Sequence, residues 1–201
     1  MLKIDPGTTA LLIGDMQNGF IHPQGCYARG GASSPAFRAI VPALRAAADA
    51  LRERGGLIVA SLFTLAPGRG GEPIISEHLK KLRPFLRRGD FAPGSFDQQV
   101  IDELQPVDCA VEKVAYSAFY NSRLEFLLRR EGIRTLVCTG VVSNGGVAST
   151  ARDAHTRDFH TIVLEDACAA LRPEVHEAAM ADLRNVLTVA RSADLVATLA
   201  G

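Results

Sequence analysis

The 201-residue chain carries 22 Lys and Arg against 22 Asp and Glu, a formal net charge of zero. That balance offers no basic stripe of the kind a nucleic-acid-binding surface presents. Hydrophobic residues at 47% and charged ones at 22% are ordinary for a globular domain, and no run reaches the roughly 18 apolar residues of a membrane helix.

The expected organisation is a single domain over 1–201. The start, "MLKIDPGTTALLIGDMQ", goes almost directly into a strand. It lacks the basic segment, apolar core and cleavage site of a secretory signal. Cys26, Cys109, Cys138 and Cys168 are widely spaced with no C-x-x-C pair, which fits buried free thiols in a reducing, cytoplasmic setting.

In chain order, "ALLIGD" (Ala10 to Asp15) is a continuous apolar run, the pattern of a strand covered on both faces. "PAFRAIVPALRAAADALRERG" follows with Phe37, Ile40, Val41, Leu44, Ala48 and Leu51 at helical spacing and a Gly55-Gly56 stop. Leu57 to Phe63 is the second strand and Cys109 to Lys113 the third. The helix "SRLEFLLRREG" leads to a fourth strand, Thr135 to Gly140. A helix after Gly146 precedes the fifth strand, His160 to Ala167. A helix from about Pro173 precedes the sixth, Val186 to Ala190, and "SADLVATLA" closes the chain with Ser192 as its N-cap. Strands alternating with helices predict a six-stranded, mostly parallel sheet with helices on both faces. The stretch from Ala66 to Gln105 interrupts this rhythm. It holds a possible helix, "ISEHLKKLRPFLRR", between glycine- and proline-rich loops around Pro67 and Pro93. Such a long connection reads as a lid or a subunit contact.

Asp15, Lys113 and the Ser143–Gly146 turn all fall at the carboxyl ends of strands. In a parallel sheet those ends share one edge, so an acid, a cation and a run of backbone N–H groups converge beside a helix N-terminus suited to negative charge. Taken singly, Asp15 could be a turn former, Lys113 a solvated strand end, and the glycines a conformational need. No G-x-G-x-x-G follows the first strand, which argues against a nicotinamide-dependent dehydrogenase. His22, His78, His155, His160 and His176 form no metal box, and no D-x-H follows the second strand, where "FTLAP" stands. No metal site and no cofactor are implied.

The segments "ALLIGDMQNGF", "VEKVAYSAFYNSRLEFLLRREGIRTLVCTGV" and "SNGGVASTARDAHTRDFHTIVLEDACAA" resemble, in order and spacing, the isochorismatase-like or cysteine hydrolase superfamily. K-x-x-Y-S-A-F ahead of a strand ending in T-G-V is the most specific part. The resemblance implies a three-layer α/β/α Rossmann-like fold with an Asp, a Lys and usually a Cys at the active site; Asp15 and Lys113 match the first two. In amidase members the aspartate deprotonates the thiol for attack on an amide carbonyl. Backbone N–H groups beside a cis peptide, matched here by Val141–Val142 with Ser143 following, hold the oxyanion. The nucleophile's position is Gly146, which has no side chain to attack with. Ser143, Ser149, Cys138 and Cys168 offer no evident replacement.

Isochorismatases resemble this chain in carrying glycine there, and they hydrolyse a vinyl ether to pyruvate and a dihydrodiol. By analogy, Asp15 protonated in an apolar pocket is the general acid, Lys113 holds a substrate carboxylate or stabilises charge, and water attacks the oxocarbenium ion. Val142 and Ala66 depart from the Tyr and Gln those enzymes carry. The expected function is therefore hydrolysis of a small anionic or ether-linked metabolite without a covalent intermediate. The alternatives are a retired binding or scaffold protein and an amidase with an unrecognised nucleophile. Phe20, Tyr116 and Phe119 are candidate substrate contacts, and Arg69 could meet a carboxylate. The resemblance implies a homodimer or homotetramer, with a small-molecule substrate and neither nucleic acid nor membrane as a partner.

Overall fold

A computed structural model describes residues 2–201. Six strands, β1 (Thr9–Gly14), β2 (Leu57–Phe63), β3 (Cys109–Lys113), β4 (Thr135–Val141), β5 (His160–Ala169) and β6 (Thr188–Ala190), form one sheet in the order β3-β2-β1-β4-β5-β6. Every neighbouring pair is parallel, so the sheet is parallel throughout. This is the three-layer α/β arrangement the strand–helix alternation predicts. The helices are α1 (Asn18–Ile21), α2 (Cys26–Arg29), α3 (Pro35–Ala39), α4 (Val41–Glu53), α5 (Glu77–Leu82), α6 (Leu124–Arg130), α7 (Ala148–Thr156), α8 (Pro173–Leu183) and α9 (Ser192–Ala200).

The sheet is buried on both faces because successive strand side chains point opposite ways. From β1, Leu11 and Ile13 join a core with Leu44 and Leu51 of α4 and Leu195 of α9. Ala10 and Leu12 join the opposite core with Leu128 of α6, Ala151 of α7 and Leu183 of α8. None of the described helices is long and apolar enough to cross a membrane.

Several local expectations change. The segment from Pro35 is two helices, because Pro42 cannot donate inside a helix and sits instead in the first turn of α4. Only Glu77–Leu82 of "ISEHLKKLRPFLRR" is helical. Ser76 caps it by accepting from the Leu79 N–H at 3.2 Å, and Pro84 disfavours helical backbone at the residue before it. Ser192 does not cap α9. Its hydroxyl donates to Asp166 at 2.7 Å, and the Asp194 carboxylate takes the Arg191 N–H at 2.9 Å instead.

The strand order reverses its direction of growth at β1 and β4, the switch point where an open α/β sheet leaves a crevice at its carboxyl edge. There Gly140 has φ of 101°, and a Cβ on it would lie 2.0 Å from the Gly14 carbonyl oxygen. Only glycine lets the two strand ends approach this closely.

Candidate active site

Asp15 follows directly on β1 with φ of 56°, a left-handed conformation that a short polar side chain tolerates. This turn aims its carboxyl into the crevice. Lys113 ends β3, two strands away, and its ammonium reaches over the Phe63 ring, 5.6 Å from the ring centre, to Asp15 Oδ2 at 2.8 Å. Nζ also donates to the carbonyls of Ala115 at 2.9 Å and Tyr116 at 3.2 Å. All three ammonium protons are therefore committed.

Both side chains are almost fully buried, Lys113 at 3% and Asp15 at 7% exposure. Burial holds the Asp15 carboxyl above the usual carboxylate range, against the opposing pull of the Lys113 charge and hydrogen bond. The Phe63 amide and the Ser61 hydroxyl also pull it downward, each by less than Lys113 does. Neither completes a hydrogen bond, because the Phe63 N–H donates to Gln17 and Asp15 Oδ1 is buried with no partner. An unpartnered buried oxygen is costly as an anion and far less so as a protonated carboxyl.

After β4, Val141–Val142 is a cis peptide, and Ser143–Val147 is a single π-helical turn leading into α7. π-turns of this kind concentrate at functional sites. The Val142 carbonyl closes the turn by accepting from the N–H groups of Gly145 at 3.0 Å and Val147 at 3.2 Å. Gly146 faces the carboxyl: a Cβ built on it would lie 3.3 Å from Asp15 Oδ2 and 3.3 Å from the Val141 carbonyl oxygen. Ser143 points elsewhere. Fully buried, its hydroxyl is 2.8 Å from Nδ1 of His176 on α8, and partial burial pushes that imidazole below its ordinary pKa.

Asp15, Lys113 and Gly146 form the floor of a cavity of about 270 Å³. Its walls are aromatic and aliphatic: Phe20, Tyr27, Phe63, Val141 and Val142, with Tyr116 at the rim. The segment from Ser76 to Arg83, on and beside α5, closes one side. The long connection between β2 and β3 thus contributes a wall over the pocket.

The sequence-predicted residues sort clearly. Asp15, Lys113, Gly146, Val141 and Val142 come together, and Phe20 and Tyr116 line the same cavity. Ser143 belongs to the turn but lies beneath it, tied to α8. Phe119 is corrected: it is core, stacked 5.9 Å from Phe159 beneath Arg157, on the face of the sheet covered by α6 to α8. Arg69 is exposed and does not line the cavity.

No cysteine lines the cavity among the described residues. Cys138 is buried in the core, and desolvation pushes its thiol up to about 12. Burial also raises Cys168 well above its ordinary value, and Cys26 is raised by burial with Asp97 and Asp90 beside it. Thiols so buried are inert as nucleophiles. Cys26, Asp90 and Asp97 do cluster away from the pocket, but Asp90 is paired with Arg29 and Asp97 accepts from the Cys26 N–H.

Residues that sequence reasoning missed are Gln17, Tyr27, Phe63 and Arg83. Gln17 is buried and staples the mouth of the crevice: Oε1 accepts from Phe63 N–H at 2.8 Å while Nε2 donates to the carbonyls of Phe63 at 3.0 Å and Gln98 at 2.9 Å. Its place in "GDMQ", two residues after Asp15, was the available signal. Gln17→Leu orphans one buried donor and two acceptors, and a loss of about 2–4 kcal/mol in urea denaturation is expected. A loss below about 0.5 kcal/mol, the usual scale of a neutral surface change, would show the staple to be dispensable.

Comparison with known proteins agrees with this fold. Residues 9–194 match the family model described as the isochorismatase domain. A cysteine hydrolase from Pseudomonas syringae pv. phaseolicola 1448A superimposes with a TM-score of 0.85 at 24% identity, covering 99% of this chain and 95% of that one, a likeness of fold. N-carbamoylsarcosine amidase from Thermoplasma acidophilum is 29% identical, with a TM-score of 0.71 over 92% of this chain and 96% of that chain. A nicotinamidase from Bacillus subtilis is 25% identical, with a TM-score of 0.75 over 92% and 100%. With the sheet order, the buried Asp15–Lys113 floor and a family match across nearly the whole length, this chain belongs to the isochorismatase family and is a hydrolase.

Proposed function

We propose that this hydrolase cleaves a small anionic metabolite by general acid–base catalysis at Asp15, without a covalent enzyme intermediate, and that its bond class is a vinyl ether of the isochorismate type. One observation carries the reading: a carboxyl held above its ordinary pKa on the floor of an apolar pocket, facing a glycine where relatives that use a thiol need a side chain. General acids work best when their pKa lies near the working pH. Burial moves Asp15 in that direction.

In this mechanism the protonated Asp15 carboxyl delivers its proton to the methylene carbon of the enol ether. The C=C electrons form the new C–H bond, and the ether oxygen shares the resulting positive charge as an oxocarbenium ion. The Asp15 carboxylate thus formed, 2.8 Å from Lys113, is stabilised by the ammonium. Water adds to the cationic carbon and returns a proton to Asp15. The hemiketal then collapses to pyruvate and an alcohol, restoring the resting state. The open face at Gly146 leaves room for that water where a cysteine would otherwise stand.

The test is release of pyruvate from isochorismate by the purified protein, followed with lactate dehydrogenase and NADH. Steady release that disappears in Asp15→Ala is expected. Hydrolysis of amides with no pyruvate from any vinyl ether would overturn the reading.

A further inference from the structure

A single buried hydroxyl ties the turn at Gly146 to a helix that lines no part of the cavity. Ser143 opens that turn, is fully buried, and has one partner for its hydroxyl among the described residues, Nδ1 of His176 at 2.8 Å. His176 belongs to α8, which packs against the turn. The Ser143 proton has no other acceptor among the described residues. The hydroxyl therefore donates and Nδ1 accepts, which puts the hydrogen of the neutral ring on Nε2.

The turn has little room to shift. A Cβ on Gly145 would lie 3.0 Å from Val142 Cγ2 and 3.3 Å from the Tyr116 ring, and one on Gly146 3.3 Å from Asp15 Oδ2. Among the described residues, Ser143 is the one side chain of the turn that hydrogen-bonds to another element. Misplacement by about 1 Å at such a site can cost about 10²-fold in rate.

The charged groups facing the imidazole are Glu165 on β5, Glu177 on α8 and Arg184 just past α8. Arg184 is paired with Glu165, and the turn itself carries no ionisable side chain. Partial burial outweighs the two acids and favours the neutral ring. A proton on Nδ1 would turn it from acceptor to donor and leave the Ser143 proton buried without a partner.

We infer that His176 is a positioning residue for the active site: through Ser143 its neutral imidazole holds the turn that lays Gly145 and Gly146 beside Asp15, and protonation releases that hold. Neither Ser143 nor His176 lines the cavity, so the effect passes through the turn. Activity then falls on the acid side through His176 and on the alkaline side through Asp15. The link to activity rests on the reading that Asp15 carries the chemistry.

Amide hydrogen exchange by NMR tests the hold without turnover. The Gly145 and Val147 N–H groups, which both donate to the Val142 carbonyl, report the turn, and amides of the β1–β2 ladder serve as controls. His176→Leu is expected to speed exchange at the two turn amides by at least about fivefold, the lower end of what orphaning a buried hydroxyl costs. His176→Asn, whose amide can stand where Nδ1 stood, should restore protection. Ser143→Ala should loosen the turn as His176→Leu does, and circular dichroism and Tm report whether each variant remains folded. In the wild type, turn protection corrected for intrinsic exchange should fall with pH at the midpoint of the His176 ring signals, below the ordinary 6.5, and His176→Asn should show no such fall. Unchanged protection in His176→Leu, no rescue by His176→Asn, or wild-type protection indifferent to the state of the ring would each overturn the inference. In the pyruvate assay the acid-side fall in kcat/KM should follow the same midpoint and be missing in His176→Asn. Absence of pyruvate release would sink the vinyl-ether chemistry and leave the exchange result standing.

Discussion

Asp15→Asn is expected to lower turnover by about 10²–10⁴-fold, the usual contribution of a positioned general acid. The amide keeps the shape of the carboxyl and can still accept from Lys113, so the cavity survives, but it has no proton to deliver. The same substitution reads the ionisation of Asp15 through stability. Burial raises the folded-state pKa above the ordinary 3.8. As pH rises past that ordinary value the unfolded chain therefore releases the Asp15 proton first, while the native state still holds it. The native state then binds more protons than the unfolded state, and linkage requires stability to fall with rising pH across this interval. The fall stops once pH exceeds the folded pKa. Asparagine has no such dependence; the penalty for losing the Lys113 partner's charge is constant across the same range. Urea denaturation of the two proteins from pH 4 upward should show the wild type losing stability relative to Asp15→Asn until a plateau. A difference that does not change with pH would mean that the carboxyl ionises at its ordinary value and is no better an acid than one in water.

The buried pair bears on whether the site is functional at all. Ion pairs in apolar surroundings are poor stabilisers, and well-packed hydrophobic side chains of similar volume often do as well or better. Asp15 Oδ1 makes matters worse by lying buried without a donor. A scaffold gains nothing from such a group. An acid that must hold a proton and then give it up needs this environment, so the local cost argues for chemistry at this floor.

Much of this was legible in the chain because it is local. Two-sided apolar runs marked five of the strands closely, and β6 began later than expected only because Val186 and Leu187 belong to the turn after α8. Asp15, Lys113 and Gly146 were legible because strand ends in a parallel sheet must share an edge. Phe119 misled because an aromatic soon after Lys113 looks like a pocket wall, yet the chain turns there and sends it beneath the sheet to Phe159. Arg83 and His176 were not legible. Arg83 sits among Arg87 and Arg88 in a strongly basic stretch, and the partner that singles it out, Tyr27, is 56 residues away. His176 belongs to no motif in the chain, and only the fold lays it against Ser143, 33 residues earlier. Non-local pairs of this kind follow from packing, and no spacing announces them.

Gly146→Cys should convert the pocket into one with a thiol nucleophile. The added Cβ fits tightly, 3.3 Å from both Asp15 Oδ2 and the Val141 carbonyl oxygen, so a destabilisation of about 1–3 kcal/mol from crowding is expected. The sulfur would stand near the Lys113 ammonium and the start of α7, both of which favour a thiolate, and at a pH where Asp15 has lost its proton the carboxylate beside it can take the proton of the thiol. The four native cysteines provide the background, since three are buried and Cys109 is half-buried with its thiol raised. Iodoacetamide should therefore label the introduced thiol at least about tenfold faster than any native one, and p-nitrophenyl acetate should give a stoichiometric burst of p-nitrophenol as the acyl group moves to sulfur. Adding Asp15→Asn should suppress the burst by more than its effect on labelling of the native cysteines, because base and nucleophile act as a unit. An introduced thiol no more reactive than Cys109 would show that the Gly146 position does not face the reacting group. A fast burst would locate the attack site at Gly146 and support the proposed direct attack by water in the native protein.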